Sequence, residues 1–352
     1  QSGEPRAFYE TAFWFGLGLA NHPIASLLLP ALVVIAWPCR ARITRVAGVR
    51  ACAIMLACLS CYAYLPLRSA YVTTHRLDPT RALGLPAGQA FWDYYHPATW
   101  EGFKSEVFAA GFDPGNAVTR FFSLKAYRDD LPAFASFVHE EYAFIVLVAA
   151  LAGLFVLLKE DWYLGIGLSL AGIATTAFAL NYSAVGHIER YFFTSFALIA
   201  VFAAIGTTRT FRILVREERQ AIALSAALFL GLTTQEIVSH AELFRQRNVD
   251  IAQRWIDRVR SHTPFNAVIV ADWDFATPLA YGTYVEGSMG ERIIQSAIIR
   301  DDQPYLAAWL RERPVYLAPY VLPHLTGYRF DSVDAAFPPL YRITFTGKTS
   351  VR

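Results

Sequence analysis

Three small groups of residues have the types and spacing to do chemistry. Asn21 and His22 form the one strongly polar pair inside a long apolar stretch, and Pro23 follows them directly. Asn caps helices well and Pro suits a first helical turn, so the spacing predicts a helix that breaks at Asn21 and restarts at Pro23. An ionisable side chain at membrane depth is a functional candidate, with structural pairing to a neighbouring helix as the alternative. Arg68 closes the segment Tyr62-Ala-Tyr64-Leu-Pro66-Leu-Arg68 and either snorkels to lipid headgroups or grips an anionic group, for which guanidinium is well shaped. Beyond it, Asp93, His96, Glu101 and Glu106 lie among Phe91, Trp92, Tyr94, Tyr95, Trp100 and Phe103. The third group, His187, Glu189 and Arg190, sets an imidazole, a carboxylate and a guanidinium side by side. Its carboxylate equally suits the start of a helix. A carboxylate among them can take a proton from a hydroxyl, and Arg or His can stabilise negative charge.

The elements that must position them are apolar helices. Of the 352 residues 55% are hydrophobic and only 17% charged, against roughly 25% charged in soluble chains. Stretches 11–39, 51–67, 142–158, 162–188, 191–208 and 220–235 contain no Asp, Glu, Lys or Arg. A hydrocarbon core takes about 20 apolar residues of helix, so these read as six membrane spans. Arg40, Arg42, Arg45 and Arg50 after the first run, and Arg209, Arg212, Arg216 and Arg219 after the fifth, mark cytoplasmic loops. The resulting organisation is 1–67, two spans with an Arg-rich cytoplasmic loop; 68–140, an extracytoplasmic loop with interfacial helices; 141–238, four spans; and 239–352, an extracytoplasmic domain. In the loop most aromatic residues are expected to anchor at the membrane surface.

In the last segment, strand-like runs at 267–271 and 314–319 alternate with helical patterns at 241–261, 278–285 and 305–311, the pattern of a small α/β domain. Asp272 and Asp274 follow a strand end, where carboxylates often sit, but read better as structural loop acids. No GxGxxG is present to hold a dinucleotide, and a formal charge of +2 gives no nucleic-acid footprint. Cys39, Cys52, Cys58 and Cys61 all lie in or beside the second run, where Cys58 and Cys61 read as packing residues. Lysine is confined to Lys104, Lys125, Lys159 and Lys348 against many arginines, a compositional hint of a bacterial source.

Several stretches together resemble the polytopic proteins of domain of unknown function 2723, which include protein O-mannosyl-transferases of the GT-C glycosyltransferase superfamily. They are Gly16-Leu-Gly-Leu-Ala-Asn21-His22, Tyr64-Leu-Pro-Leu-Arg68-Ser69, Pro97-Ala-Thr-Trp100-Glu101-Gly102-Phe103, Asn266-Ala-Val-Ile-Val-Ala-Asp272 and Arg313-Pro314-Val315-Tyr316. The family carries N-W-G-D where this chain has Asp93, Tyr94, Tyr95 and His96. The resemblance implies an α-helical GT-C-like membrane protein of the bacterial inner membrane, its α/β tail extracytoplasmic. It would move a sugar such as mannose from a polyprenyl-phosphate donor to a protein or glycan hydroxyl. His22, Arg68 and Arg190 would border the donor phosphate; Asp93 and Glu189 are catalytic candidates; His96, Trp100 and His187 would line the acceptor or sugar side. The family's D-x-G-E motif is absent, so the chain is expected to be the C-terminal part of a longer protein, with the general base upstream. No cofactor is implied, a divalent metal is left open, and the carboxylates are too scattered to define a site for one. A transporter and a non-catalytic membrane scaffold are the competing readings.

Overall fold

The computed structural model describes residues 5–108, 124–181, 191–215, 217–239, 241, 250–296 and 302–346. In chain order the helices are α1 (Pro5–Asn21), α2 (Leu29–Ala36), α3 (Arg45–Leu59), α4 (Tyr64–Thr74), α5 (Trp100–Val107), α6 (Leu124–Glu141) and α7 (Phe144–Glu160). They continue as α8 (Trp162–Asn181), α9 (Phe193–Val215), α10 (Glu218–Ser239), α11 (Ile251–His262), α12 (Trp273–Tyr284) and α13 (Gln303–Glu312). Five strands accompany the last three: β1 (Val268–Ala271), β2 (Ile293–Ser296), β3 (Val315–Ala318), β4 (Tyr328–Asp334) and β5 (Leu340–Phe345). The chain forms two compact units, Gln1–Ala63 with Val107–Glu242, and Tyr64–Glu106 with Leu243–Arg352.

Among the described residues, Pro23–Arg42, Arg45–Thr74, Trp162–Asn181, Phe193–Val215 and Glu218–Ser239 are long and apolar enough to cross a bilayer. Leu131–Glu141 and Phe144–Glu160 add a sixth crossing only if the pair, bent by 104°, counts as one. The expected first span, 11–39, does not stay whole. His22 is extended (φ −156°, ψ 131°), and its Nδ1 accepts from the Ile24 amide at 3.1 Å, capping the turn that starts at Pro23. Pro23 has no N–H to offer the Leu19 carbonyl four residues back. The Tyr62 hydroxyl supplies that donor instead at 2.7 Å. The expected break is therefore present one residue later, with His22 and not Asn21 as the cap, and of the two stretches Pro23–Arg42 reaches span length. The run 11–39 thus comprises two separate helical stretches, of which the second continues to Arg42.

Small residues set the helix contacts of this unit. Gly16 lets α1 approach Met55 and Cys58 of α3, and the buried Cys58 is a packing residue as expected. A Cβ on Gly153 would lie 1.8 Å from the Phe202 carbonyl oxygen, and one on Gly206 would lie 2.0 Å from that of Ala149. Helices α7 and α9 thus touch backbone to backbone around Ala150 and the fully buried Ala203. Ser195 joins α9 to α8 by bonds to the Thr176 hydroxyl at 2.6 Å and the Gly172 carbonyl at 3.1 Å.

The second unit is a small α/β fold. Its sheet has the order β2-β1-β3-β5-β4, with β1 parallel to β2 and β3, and β5 antiparallel to β3 and β4. Both β1 and β3 are buried along their length, as unbroken apolar runs between two covered faces must be. Trp255, Ile256 and Val259 of α11 and Phe275, Ala276 and Leu279 of α12 pack on one face; Leu306 and Trp309 of α13 pack on the other. The α/β tail is as expected, and β2, β4 and β5 add to it. Arg292 is 6% exposed, and among the described residues no carboxylate pairs with it. Its guanidinium donates to the Thr263 hydroxyl (2.8 Å), the Met289 carbonyl (2.5 Å) and the carbonyls of Arg260 and Thr263, closing the α11–β1 loop over β2.

The segment 68–140, expected as one loop, is divided: its first part packs into this fold. Leu83 lies in the core beside α13, and its carbonyl accepts from the Trp309 indole at 2.7 Å. Gln295 donates to the Gln89 carbonyl at 3.0 Å. The rings of Phe91 and Trp92 meet Tyr284 at 6.3 and 5.5 Å, and Phe91 stacks on Trp273. These two aromatics serve protein packing, whereas Trp100 is 67% exposed.

Candidate functional site

Helix α4 places Ser69 and Thr73 one turn apart on one face, and a single turn of 3₁₀ helix at Phe91–Asp93 brings Asp93 to them. The Asp93 carboxylate is 7% exposed. Its Oδ1 accepts from Ser69 Oγ at 2.5 Å; its Oδ2 accepts from Thr73 Oγ1 at 3.2 Å and meets His96 Nδ1 at 2.5 Å. A carboxylate can only accept, so the imidazole donates from Nδ1, and in the neutral ring Nε2 then carries the lone pair. His96 keeps part of its side chain, 22%, in solvent.

Ser69 is not a nucleophile in this arrangement. It is 1% exposed, directs its proton to Asp93, and accepts from the Ala98 amide at 3.1 Å. The cluster also bears backbone strain: Tyr95 and His96 both have positive φ, 60° and 54°. Left-handed geometry at two successive non-glycine residues costs about 1–3 kcal/mol each and persists only where neighbours over-determine it. Here the Tyr95 amide bonds to the Gly88 carbonyl at 2.8 Å. Gly102 of α5 approaches so closely that a Cβ would lie 2.1 Å from the Tyr95 carbonyl oxygen. The stretch Pro97-Ala-Thr-Trp-Glu-Gly-Phe thereby gains a structural meaning. Thr99 caps α5 by accepting from the Gly102 amide at 3.1 Å, Trp100 stacks on Phe103 at 5.9 Å, and Gly102 admits the strained turn.

Asp78 supports the same loop, accepting from the Thr80 amide (2.8 Å), the Thr80 hydroxyl (2.6 Å) and the Trp92 amide (2.6 Å). Arg68 donates through Nη1 to the Trp92 carbonyl at 2.6 Å and otherwise stands exposed. Partial desolvation raises the Glu106 carboxyl above its ordinary range, and the Arg68 guanidinium works against that rise. Arg68, Asp93 and His96 are thus brought into one unit by contacts of Asp93 and Trp92. His22 caps a helix in the other unit, and His187, Glu189 and Arg190 lie outside the described residues. Glu106 was noted in the sequence, whereas Ser69, Thr73 and Asp78 were given no role there; the hydroxyls at i and i+4 on α4 were the available signal. Among the described residues no three His, Cys, Asp or Glu side chains gather to hold a metal ion.

Asp272 and Asp274 take the structural role expected of them. Asp272 Oδ2 accepts from the Tyr320 amide and Asp274 Oδ2 from the Tyr320 hydroxyl, both at 2.5 Å, fastening the β3–β4 loop to the start of α12. The bond to Asp274, then desolvation, then the charges of Asp274 and Asp272 push the Tyr320 phenol up to about 12. The folded value lies above the ordinary one near 10, so this stabilisation is complete below pH 10 and is lost as pH rises through 12. Subtracting the ultraviolet titration of Tyr320→Phe from that of the parent is expected to isolate one phenol ionising near 12. In Asp274→Asn that step should move back toward 10; an unmoved step would show that the bond does not form.

No family model, curated protein or solved structure matches the chain.

Proposed function

We propose that this protein is a membrane glycosyltransferase of the GT-C type. It would transfer a sugar from a polyprenyl-phosphate donor to a protein or glycan hydroxyl on the extracytoplasmic side. The observation that carries the reading is the exposed Arg68 close to the Asp93–His96 pair, near the end of the candidate span Arg45–Thr74. A donor whose tail lies in the bilayer presents its phosphate at such a helix end, and guanidinium is shaped to hold it.

In this reading His96 Nε2 takes the proton of the acceptor hydroxyl as the acceptor oxygen bonds to the sugar's C1. The bond from C1 to the phosphate oxygen breaks, and the electron pair leaves on the phosphate, which Arg68 stabilises. Asp93 positions His96 and fixes its tautomer, and the exposed Trp100 ring offers a face for sugar stacking. This assigns the base to the chain itself instead of to an upstream acid.

The test is transfer from labelled polyprenyl-phosphate sugar in membranes containing the full chain. Arg68→Ala and His96→Ala are each expected to lower transfer by about 100-fold at equal expression. Loss in Arg68→Ala alone returns the base to another residue. Full activity in both removes the reading, and sugar flux without transfer would favour the transporter, for which the broken helix at His22 speaks.

A further inference from the structure

The second unit carries an exposed apolar cap at the sheet edge where β1 and β3 end. Trp273 opens α12 just beyond β1, Tyr320, Val321 and Leu322 follow β3, and Phe337 lies in the turn between β4 and β5. They are 66, 53, 81, 43 and 71% exposed. The rings are continuous: Phe275 to Tyr320 is 4.5 Å, Phe275 to Phe337 5.6 Å, and Tyr320 to Phe337 6.4 Å. Domains that live wholly in water seldom gather so many large apolar side chains at one edge.

We propose that this cap dips into the lipid interface, so that the α/β unit rests on the bilayer surface by its β1/β3 edge. The same compact unit contains α4, the last eleven residues of the candidate span Arg45–Thr74, and so is held at a membrane by its own chain. Aromatic rings with one polar tip beside aliphatic tips are the composition of interfacial belts. Val321 and Leu322 offer nothing that a sugar or a charged peptide would recognise, whereas lipid tails accept them. The charged neighbours at this edge are Asp272 and Asp274, both turned to Tyr320, and Arg258, which donates to the Phe337 and Pro338 carbonyls and pairs with Asp334, so no free cation is offered and attraction to anionic headgroups plays no part. Binding is apolar and indifferent to lipid charge. The inference rests on the membrane spans and is independent of the transferase reading.

The test uses the full chain with Cys39, Cys52, Cys58 and Cys61 replaced by alanine. Val321→Cys carries an environment-sensitive dye in phosphatidylcholine nanodiscs, with or without bromine on the acyl chains. Blue-shifted emission that bromine lowers at least twofold is expected, unchanged when phosphatidylserine is added. Glu312→Cys, at the end of α13 just before β3 begins at the opposite edge, is the comparison and should stay unquenched. Water-like emission at residue 321, or equal quenching at both positions, overturns the proposal. So does an emission shift on adding a soluble mannose oligosaccharide without any bromine quenching, which would mark a glycan platform instead.

Discussion

Alanine at Gly206 is expected to destabilise the helical unit by about 3 kcal/mol or more, read as a lowered unfolding midpoint in detergent by circular dichroism. The new methyl group would sit 2.0 Å from the Ala149 carbonyl oxygen and near the Gly153 amide, both backbone atoms that no rotamer change can move. Helices α7 and α9 must separate, and the contacts around Ala150 and Ala203 are lost with them. Gly153→Ala should do the same from the other side, where the obstruction is the Phe202 carbonyl. Because either substitution already parts the helices, the pair should cost less than the sum of the two. Gly231 in α10 meets nothing within 4 Å, so Gly231→Ala should be neutral or gain up to about 1 kcal/mol from helix propensity. Equal effects at Gly206 and Gly231 would show that α7 and α9 do not touch.

Removing the Asp93 carboxylate should be nearly as severe. Asp93→Ala leaves the Ser69 and Thr73 hydroxyls and the His96 Nδ1–H facing an empty pocket, each a donor with its acceptor gone. An unpaired buried donor costs about 1–3 kcal/mol, and a loss of about 3 kcal/mol overall is expected. Asp93→Asn keeps the shape but turns a donor toward donors, so it should recover only part. In a double-mutant cycle with His96→Ala a coupling above about 1 kcal/mol is expected. Proteolysis between residues 76 and 99 should accelerate in Asp93→Ala, because the strained Tyr95–His96 turn loses its clamp. A cost below 1 kcal/mol with no coupling would mean that the pair is not a unit.

Much of this could be read along the chain because it depends on local pattern. Charge-free runs of span length can only be helices in a lipid setting, and the Asn21-His22-Pro23 sequence announces its break through the chemistry of capping and of the missing proline N–H. Arg68, Asp93 and His96 stood out by residue type alone. What their types did not reveal is that Asp93 meets Ser69 across 24 positions, or that the loop serves as a clamp on α4. The packing of Phe91 and Trp92 was hidden for the same reason: an aromatic side chain looks alike in sequence whether it faces lipid or Tyr284.

The sequence by itself determined the apolar helices, the break ahead of Pro23 and the two strand runs at 267–271 and 314–319, since each follows from periodicity or from a backbone rule acting within a few residues. Only the tertiary structure decided that residues 64–106 belong with 243–352. That grouping rests on contacts such as the Trp309 indole on the Leu83 carbonyl, 226 positions away. Such a bond forms because a buried N–H must find an acceptor wherever the fold brings one, and no local pattern records which carbonyl that will be.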